Sequence, residues 1–192
     1  MMSLWGAAAC GGDGGLSSEL LAGYEGIYQL DAATENPTAC DVEGASVLDA
    51  TAQKQFVAVA LRVLTIDGLQ LISCSDDAGC ASTASQAKSG GGWAAAWGRF
   101  FSESLGADQL GGLSASSGFE QSGTCTGRTY TALTLTHSGD TLRVEARLTN
   151  LPDAPADNGI CWAEPAKQRS EAAALPCSSL SVLTGSKRAP LP

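Results

Sequence analysis

The chain has 192 residues, of which 44% are hydrophobic, so it is long enough for one ordinary domain with a sizeable core. Its net charge is -9 and its 11 basic residues are scattered, which argues against nucleic acid because phosphate binding needs clustered Lys and Arg. Charged residues make up only 16% and glycine is abundant, a composition that favours loops and β-structure. No apolar stretch approaches the ~20 residues of a membrane-spanning helix.

The residues around Cys10 form a distinct N-terminal pattern: Leu4–Ala9 is apolar and ends in alanines, Cys10 follows, and Gly11–Gly15 supplies a flexible spacer. This pattern resembles the lipobox of a bacterial lipoprotein. The resemblance implies a diacylglycerol thioether and an N-acyl chain on Cys10, and anchoring in the cell envelope at the outer membrane or facing the periplasm. The stretch before Cys10 is short and lacks Lys and Arg, so a signal that starts upstream and a chance Ala-Ala-Ala-Cys both stay open.

This N-terminal pattern divides the chain into four parts. Residues 1–9 are interpreted as the remnant of a signal peptide and residues 10–18 as a Gly-rich tether. Residues 19–185 form the predicted β domain, and residues 186–192 form a predicted flexible tail.

The first predicted strand is Tyr24–Leu30, and its sequence Gly26-Ile27-Tyr28 resembles the opening G-x-W strand of lipocalin-like barrels, with Tyr where the family has Trp. Those barrels end with a helix and a short strand, which correspond here to Pro165–Leu175 and Leu180–Thr184. The resemblance implies a barrel whose interior holds a small apolar molecule.

The next predicted unit is a hairpin of Phe56–Ile66 and Leu69–Cys74 that turns at Asp67-Gly68. Its first arm is apolar on both faces apart from Arg62, which predicts a central position. Val42–Leu48 is a further candidate strand.

The predicted strand Trp93–Phe101 places aromatic residues on one face, because Trp93 and Trp97 lie four residues apart. Two interpretations stay open: an exposed platform for a sugar or apolar ligand, or rings within the core. Ser82–Gly92 and Gly111–Gly123 are Gly/Ser-rich and predicted to be mobile, although a strand at 110–119 overlaps the second segment.

The clearest hairpin joins Thr129–Thr136 to Thr141–Thr149 through a Gly139-Asp140 loop. This register makes one face of the ribbon apolar and the other polar, as a half-buried antiparallel pair requires. The predicted pairs are Leu135 with Val144 and Leu133 with Ala146 on the apolar face, and Thr136 with Arg143 and Thr134 with Glu145 on the polar face.

One helix is predicted, over Pro165–Leu175. Pro165 suits a first helical turn, Glu171–Ala174 consists of good helix formers, and Pro176 ends the helix. A last strand is predicted at Leu180–Thr184.

The chain has seven cysteines, and an even number remains when Cys10 is set aside, which predicts disulfides. The chain has no C-x-x-C pair and a single histidine, which argues against a zinc site. Six cysteines allow fifteen pairings. Proximity favours Cys74–Cys80 and Cys161–Cys177, which leaves Cys40–Cys125.

Residues with catalytic or ligating chemistry are few. His137 is the only histidine, it lies beside a tight turn, and no G-x-S-x-G sequence accompanies it, so a surface histidine is the favoured interpretation. The adjacent Asp76 and Asp77 lack the spacing of a calcium loop and are interpreted as solvated loop charge. No metal or cofactor is predicted.

Together these patterns predict a single, mainly β, disulfide-stapled antiparallel domain with one short C-terminal helix, built as an up-and-down barrel or as a β-sandwich. The predicted function is that of a non-enzymatic cell-envelope module, held at the membrane by a lipid on Cys10, that binds a small apolar ligand or an envelope protein. The alternative is a secreted hydrolase or inhibitor whose site is assembled in space. The candidate ligand-binding residues are Trp93, Trp97, Leu133 and Leu135.

Overall fold

The computed structural model describes residues 16–48, 55–63, 66–89, 99–119, 125–152 and 165–191. Ten strands in these residues form one antiparallel sheet that curls into a nearly closed barrel. The strands are β1 (Gly26–Asn36), β2 (Ser46–Val47), β3 (Gln55–Val63), β4 (Ile66–Cys74), β5 (Arg99–Phe101), β6 (Glu103–Gly106), β7 (Gln109–Phe119), β8 (Cys125–Ser138), β9 (Thr141–Pro152) and β10 (Cys177–Ala189). The helices are α1 (Ser18–Tyr24), α2 (Asp77–Lys88) and α3 (Pro165–Ala174).

The strand order makes the sheet an up-and-down barrel rather than a sandwich. The order is β5-β4-β3-β1-β10-β9-β8-β7-β6, with β2 beside β1. The two outermost strands, β5 and β6, are separated in sequence only by Ser102, so one short stretch of chain pairs with β4 at its start and with β7 at its end. The sheet therefore returns on itself, and strands that follow one another in sequence are neighbours in space.

The barrel is joined where β5 crosses β7, and this contact requires a glycine. A Cβ atom on Gly112 would overlap the carbonyl oxygen of Phe100. Next to this crossing, the backbone N–H of Ser102 donates to the carbonyl of Gly111 at 2.9 Å. Any side chain at position 112 would push the two segments apart.

The β8–β9 hairpin has the predicted register. Leu135 lies opposite Val144, Leu133 opposite Ala146, Thr136 opposite Arg143 and Thr134 opposite Glu145, as predicted. Gly139 in the turn has φ +58°, a left-handed conformation that glycine adopts without strain.

Helix α1 seals one end of the barrel. Its cap is Ser17, whose hydroxyl accepts from the backbone N–H of Leu20 at 3.2 Å. Leu16, Leu21 and Tyr24 are buried in the interior cluster, so the predicted tether over 10–18 is too long and the strand predicted from Tyr24 begins only after a helix. The other buried members of this cluster are Tyr28, Phe56, Ala58, Leu69, Leu71, Phe101, Leu110, Leu133, Leu135, Leu142, Val144 and Ala146.

Helix α2 covers the outer face of β3 and β4, which corrects the mobile segment predicted from Ser82. Its buried residues Cys80, Ala84 and Ala87 pack against Val57 and other outward residues of β3. Because β3 faces the barrel interior on one side and α2 on the other, both of its faces are apolar.

Two disulfides within the described residues fasten the barrel. Cys74–Cys80 forms as predicted and ties the end of β4 to the first turn of α2, with a Cα–Cα distance of 5.1 Å. Cys177 pairs with Cys40 at a Cα–Cα distance of 5.8 Å, so the predicted Cys161–Cys177 and Cys40–Cys125 pairings are wrong. The error arose because spacing along the chain does not show which strand ends meet in the barrel. The two bonds indicate an oxidising, extracytoplasmic environment.

Three element boundaries also differ from the predictions. Asp67 and Gly68 pair within β4 opposite Arg62 and Leu61 instead of forming the turn. Of the candidate strand at 42–48, only Ser46–Val47 is a strand. The tail predicted from residue 186 is wrong over its first residues, because β10 continues along β1 to position 189.

Strand β7 covers the predicted strand at 110–119, and α3 occupies the predicted helix up to Ala174. The mobility predicted for 111–123 is therefore wrong over residues 111–119. Of the strand predicted at 93–101, residues 99–101 form β5 and the rest lies outside the described residues. Among the helices of the described residues, none combines the length and apolar character needed to cross a bilayer.

Candidate ligand site in the barrel interior

The pairing register identifies the inner face of each strand, because residues directly opposite each other point to the same side of a sheet. Leu133 belongs to the interior cluster, and it lies opposite Gly112 and Ala146. Ala146 in turn lies opposite Ser181 of β10, so Ser181 also faces inward. The same reasoning places Thr131 and Ser114 on the inner face.

The interior has two halves of different character. Near α1, the inner residues are apolar or aromatic and fully buried, as Tyr28, Leu135 and Leu142 show with 0% exposure. Toward the opposite end they are mostly small and polar, and several are exposed to solvent. We call this second region the polar half; its inner-facing polar residues include Glu35, Ser73, Arg99, Ser114, Ser116, Thr129, Thr131, Asn150 and Ser181.

Arg99 is the cation of the polar half. Leu69 lies opposite Phe101 and Leu71 opposite Arg99, and the other three of these residues belong to the interior cluster, so Arg99 faces inward. Its Nη1 atom is buried and makes no hydrogen bond within the described residues. Burial lowers the pKa of Arg99, because the charged guanidinium loses its hydration.

The rim of the polar half is ordered by hydrogen bonds. The hydroxyl of Thr129 donates to Oδ1 of Asn150 at 3.0 Å. The side-chain amide of Asn150 then donates to the hydroxyl of Ser178 at 3.2 Å. These contacts link β8, β9 and β10, so the inner polar groups are held in defined positions.

Helix α3 is held on the outer face beside this rim by a buried ion pair. Arg128, with a side chain only 2% exposed, donates from Nη1 to both carboxylate oxygens of Glu171 at 3.0 Å. Tyr130 donates a hydrogen bond to the same carboxylate. Burial acts to raise the pKa of Glu171, but the hydrogen bonds from Tyr130 and Arg128 outweigh it and the pKa is lowered.

His137 packs in the half of the interior near α1, which we call the sealed half. It is half-buried, its ring centroid lies 5.0 Å from that of Tyr24, and its backbone N–H donates to the carbonyl of Asp108 at 2.9 Å. Within the described residues its side chain has no hydrogen-bonded serine or carboxylate, which a catalytic triad would require.

Asp76 and Asp77 organise helix α2. Asp76 is its N-cap and accepts from the backbone N–H of Gly79 at 2.8 Å. Asp77 accepts from the amide of Gln55 at 2.9 Å and forms an ion pair with Arg188 at 3.1 Å. In the part of the chain that the structure describes, no group of His, Cys, Asp or Glu could hold a metal ion.

The predicted ligand-binding residues divide into two groups. Leu133 and Leu135 are buried in the interior cluster, with 6% and 0% exposure. Trp93 and Trp97 lie outside the described residues, as does the predicted lipidation site Cys10. Arg99 was missed, because only the register with β4 shows that its side chain faces inward.

A shallow groove of about 370 Å³ lies outside the barrel, between α2 and the end of the chain. Its lining is small or aliphatic apart from one lysine, so it offers little for specific recognition. The lining residues are Ala81, Ala84, Ser85, Lys88, Ser89 and Leu191.

Comparison with protein-family models, curated proteins and solved structures finds no match for this chain.

Proposed function

We propose that this protein is a non-enzymatic binding module of the cell envelope that holds a small molecule in the polar half of its barrel. The observation that carries the proposal is the unequal interior: α1 seals one half around apolar side chains, whereas the inner face of the other half is exposed and polar. A barrel with one closed end and one accessible, hydrogen-bonding end has the form of a small-molecule site.

The residues that line the polar half favour a polar ligand over the apolar ligand expected from the sequence. The apolar side chains Leu133 and Leu135 pack in the core, whereas Ser114, Thr131 and Ser181 present hydroxyls to the accessible half. A ligand with hydrogen-bonding groups suits these residues better than a purely apolar one, because binding must replace the water that solvates them.

Native mass spectrometry of protein purified from its own host, with its disulfides intact, tests this function. The wild type should retain a small molecule, and Thr131→Trp should lose it because the indole occupies the inner face. Thr134→Trp is the matched control, since Thr134 lies three residues along the same strand and faces outward opposite Glu145. Wild type without a bound molecule, or Thr131→Trp that retains one, would contradict the proposal.

We further propose that a lipid on Cys10 anchors the barrel to the membrane, with the Gly-rich segment after Cys10 as a tether. The support is the lipobox-like sequence, the even number of cysteines that remains, and the oxidising environment that the disulfides indicate. Mass spectrometry of the N-terminal peptide should find an acylated Cys10 as its first residue. A peptide with unmodified Cys10 preceded by intact residues would contradict the anchor.

A further inference from the structure

Burial of the Arg99 guanidinium should destabilise the fold, and the contacts among the described residues do not compensate for it. A guanidinium taken out of water loses hydration free energy, and proteins normally compensate with a carboxylate and further hydrogen bonds. Among the described residues, the buried Nη1 atom of the Arg99 side chain has no hydrogen-bond partner, and that side chain belongs to none of the ion pairs. By contrast, Arg128 is fully paired with Glu171.

The position of Arg99 places this unpaired charge where a ligand would be. It lies on the inner face, opposite Leu71 and next to Phe101 on the same face, at the boundary between the sealed half and the polar half. Glu35 is an inner-facing carboxylate of this region, by its register with Ser181, and it does not pair with Arg99.

We propose that Arg99 is the anchor for the anionic group of a small organic ligand bound in the polar half. Arginine presents a planar set of N–H donors that matches a carboxylate, phosphate or sulfonate, and such a pair is strongest where water is scarce. The neighbouring hydroxyls would bind the polar remainder of the ligand. This inference rests on the proposed function, since it names the class of molecule that the same site binds.

The test uses two fluorescent probes that differ in one charged group. The anionic probe is 1-anilinonaphthalene-8-sulfonate, and the neutral probe is N-phenyl-1-naphthylamine, which has the same rings without the sulfonate. Wild type should bind the anionic probe at least about tenfold more tightly than Arg99→Gln does, as expected for a charged hydrogen bond. The two proteins should bind the neutral probe equally. Arg147→Gln is the control, because Arg147 is a half-exposed arginine of β9.

The outcomes separate the two proposals. If neither probe binds wild type in a manner that Thr131→Trp blocks, the proposed function fails and this inference fails with it. If both probes bind in the barrel and Arg99→Gln binds the anionic probe as tightly as wild type, the proposed function stands and the assignment of Arg99 is wrong.

A stability measurement distinguishes a binding residue from a structural one. Arg99→Met removes a charge that has no partner among the described residues, so its Tm without ligand should be higher than that of wild type. Addition of the anionic probe should raise the Tm of wild type more than that of Arg99→Met. A lower Tm for Arg99→Met together with unchanged probe binding would show that Arg99 serves the fold and overturn the inference.

Discussion

Two arginines of this barrel, Arg99 and Arg128, show how burial and pairing together determine the role of a charged residue. Arg128 lies under α3 with Glu171 and Tyr130 around its guanidinium, whereas Arg99 faces the interior and its Nη1 atom has no partner in the part of the chain that the structure describes. Arg128 contributes to the position of α3. Burial of Arg99 lowers the stability of the folded protein, and binding of an anionic ligand would offset this effect.

Removal of Glu171, the carboxylate partner of Arg128, should strongly destabilise the folded protein. Glu171→Ala should lower the free energy of unfolding by about 3–5 kcal/mol, because it leaves a buried and unpaired cation. The double variant Arg128→Met/Glu171→Leu should recover most of that loss, since no charge remains to be desolvated. Urea denaturation measures both variants.

The control for this prediction is an exposed pair. Glu145→Ala breaks the contact with Arg143, whose side chain is 42% exposed, and should cost no more than about 1 kcal/mol. An equally small cost for Glu171→Ala would contradict the structural role of the buried pair.

Tyr28 should make stability depend on pH in alkaline solution. Burial, with the nearby charge of Asp140, raises its pKa from 10.0 to about 12, and its hydroxyl donates to the carbonyl of Tyr24 at 2.9 Å. The folded protein therefore holds this proton more tightly than the unfolded chain does. The free energy of unfolding should fall as the pH rises from about 10 toward 12, while Tyr28 contributes no slope at lower pH.

Urea denaturation of wild type and Tyr28→Phe across this pH range measures the effect. Phenylalanine has no proton to lose, so the decline should be shallower in the variant. Parallel curves for the two proteins would show that Tyr28 does not contribute to it.

At the scale of elements, the sequence predicted best where the local pattern and the tertiary environment agree. The β8–β9 hairpin has a Gly-containing turn and strict alternation, so its register could be predicted pair by pair. Helix α3 has clear limits in Pro165 and Pro176.

Helix α2 was not predicted, because its buried face has small residues in place of the large apolar ones that usually mark an amphipathic helix. Its buried stripe consists of Cys80, Ala84 and Ala87, and serine-rich positions between them are typical of a loop. Asp76 caps its N-terminus, a role that depends on the chain direction at that point. The inward direction of Arg99 was equally hidden, since it follows from pairing with a strand some thirty residues earlier in the sequence.

The β5–β7 crossing predicts a steric effect at Gly112. Gly112→Ala should lower the free energy of unfolding by about 1–3 kcal/mol, because the added methyl group overlaps the carbonyl of Phe100. Gly106→Ala is the matched control in β6, since a Cβ there meets nothing within 4 Å. Equal urea midpoints for the two variants would contradict the close approach of β5 to β7.

At the scale of the whole molecule, the long disulfide joins distant parts of the sequence around the rim. Cys40 and Cys177 are 137 residues apart, whereas Cys74 and Cys80 are 6 apart. In the chain-entropy model these loops correspond to about 5 and about 2 kcal/mol, so the longer bond should matter more.

Paired serine substitutions test this difference. Cys40→Ser/Cys177→Ser should lower the urea midpoint further than Cys74→Ser/Cys80→Ser. A larger decrease in the urea midpoint for Cys74→Ser/Cys80→Ser would contradict this. It would show that local contacts of α2, and not restriction of the unfolded chain, determine how much each disulfide stabilises the protein.

The barrel as a whole combines a sealed apolar half, which supplies stability, with a polar half that remains accessible. Backbone NMR of the disulfide-bonded protein during titration with 1-anilinonaphthalene-8-sulfonate tests this arrangement most directly. We expect shifts concentrated at inner-facing Ser114, Thr131 and Ser181, and saturation at a probe concentration at least about tenfold higher in Arg99→Gln than in wild type. Shifts concentrated at the outer groove, near Ala84 and Leu191, or no saturable shifts at all, would contradict it.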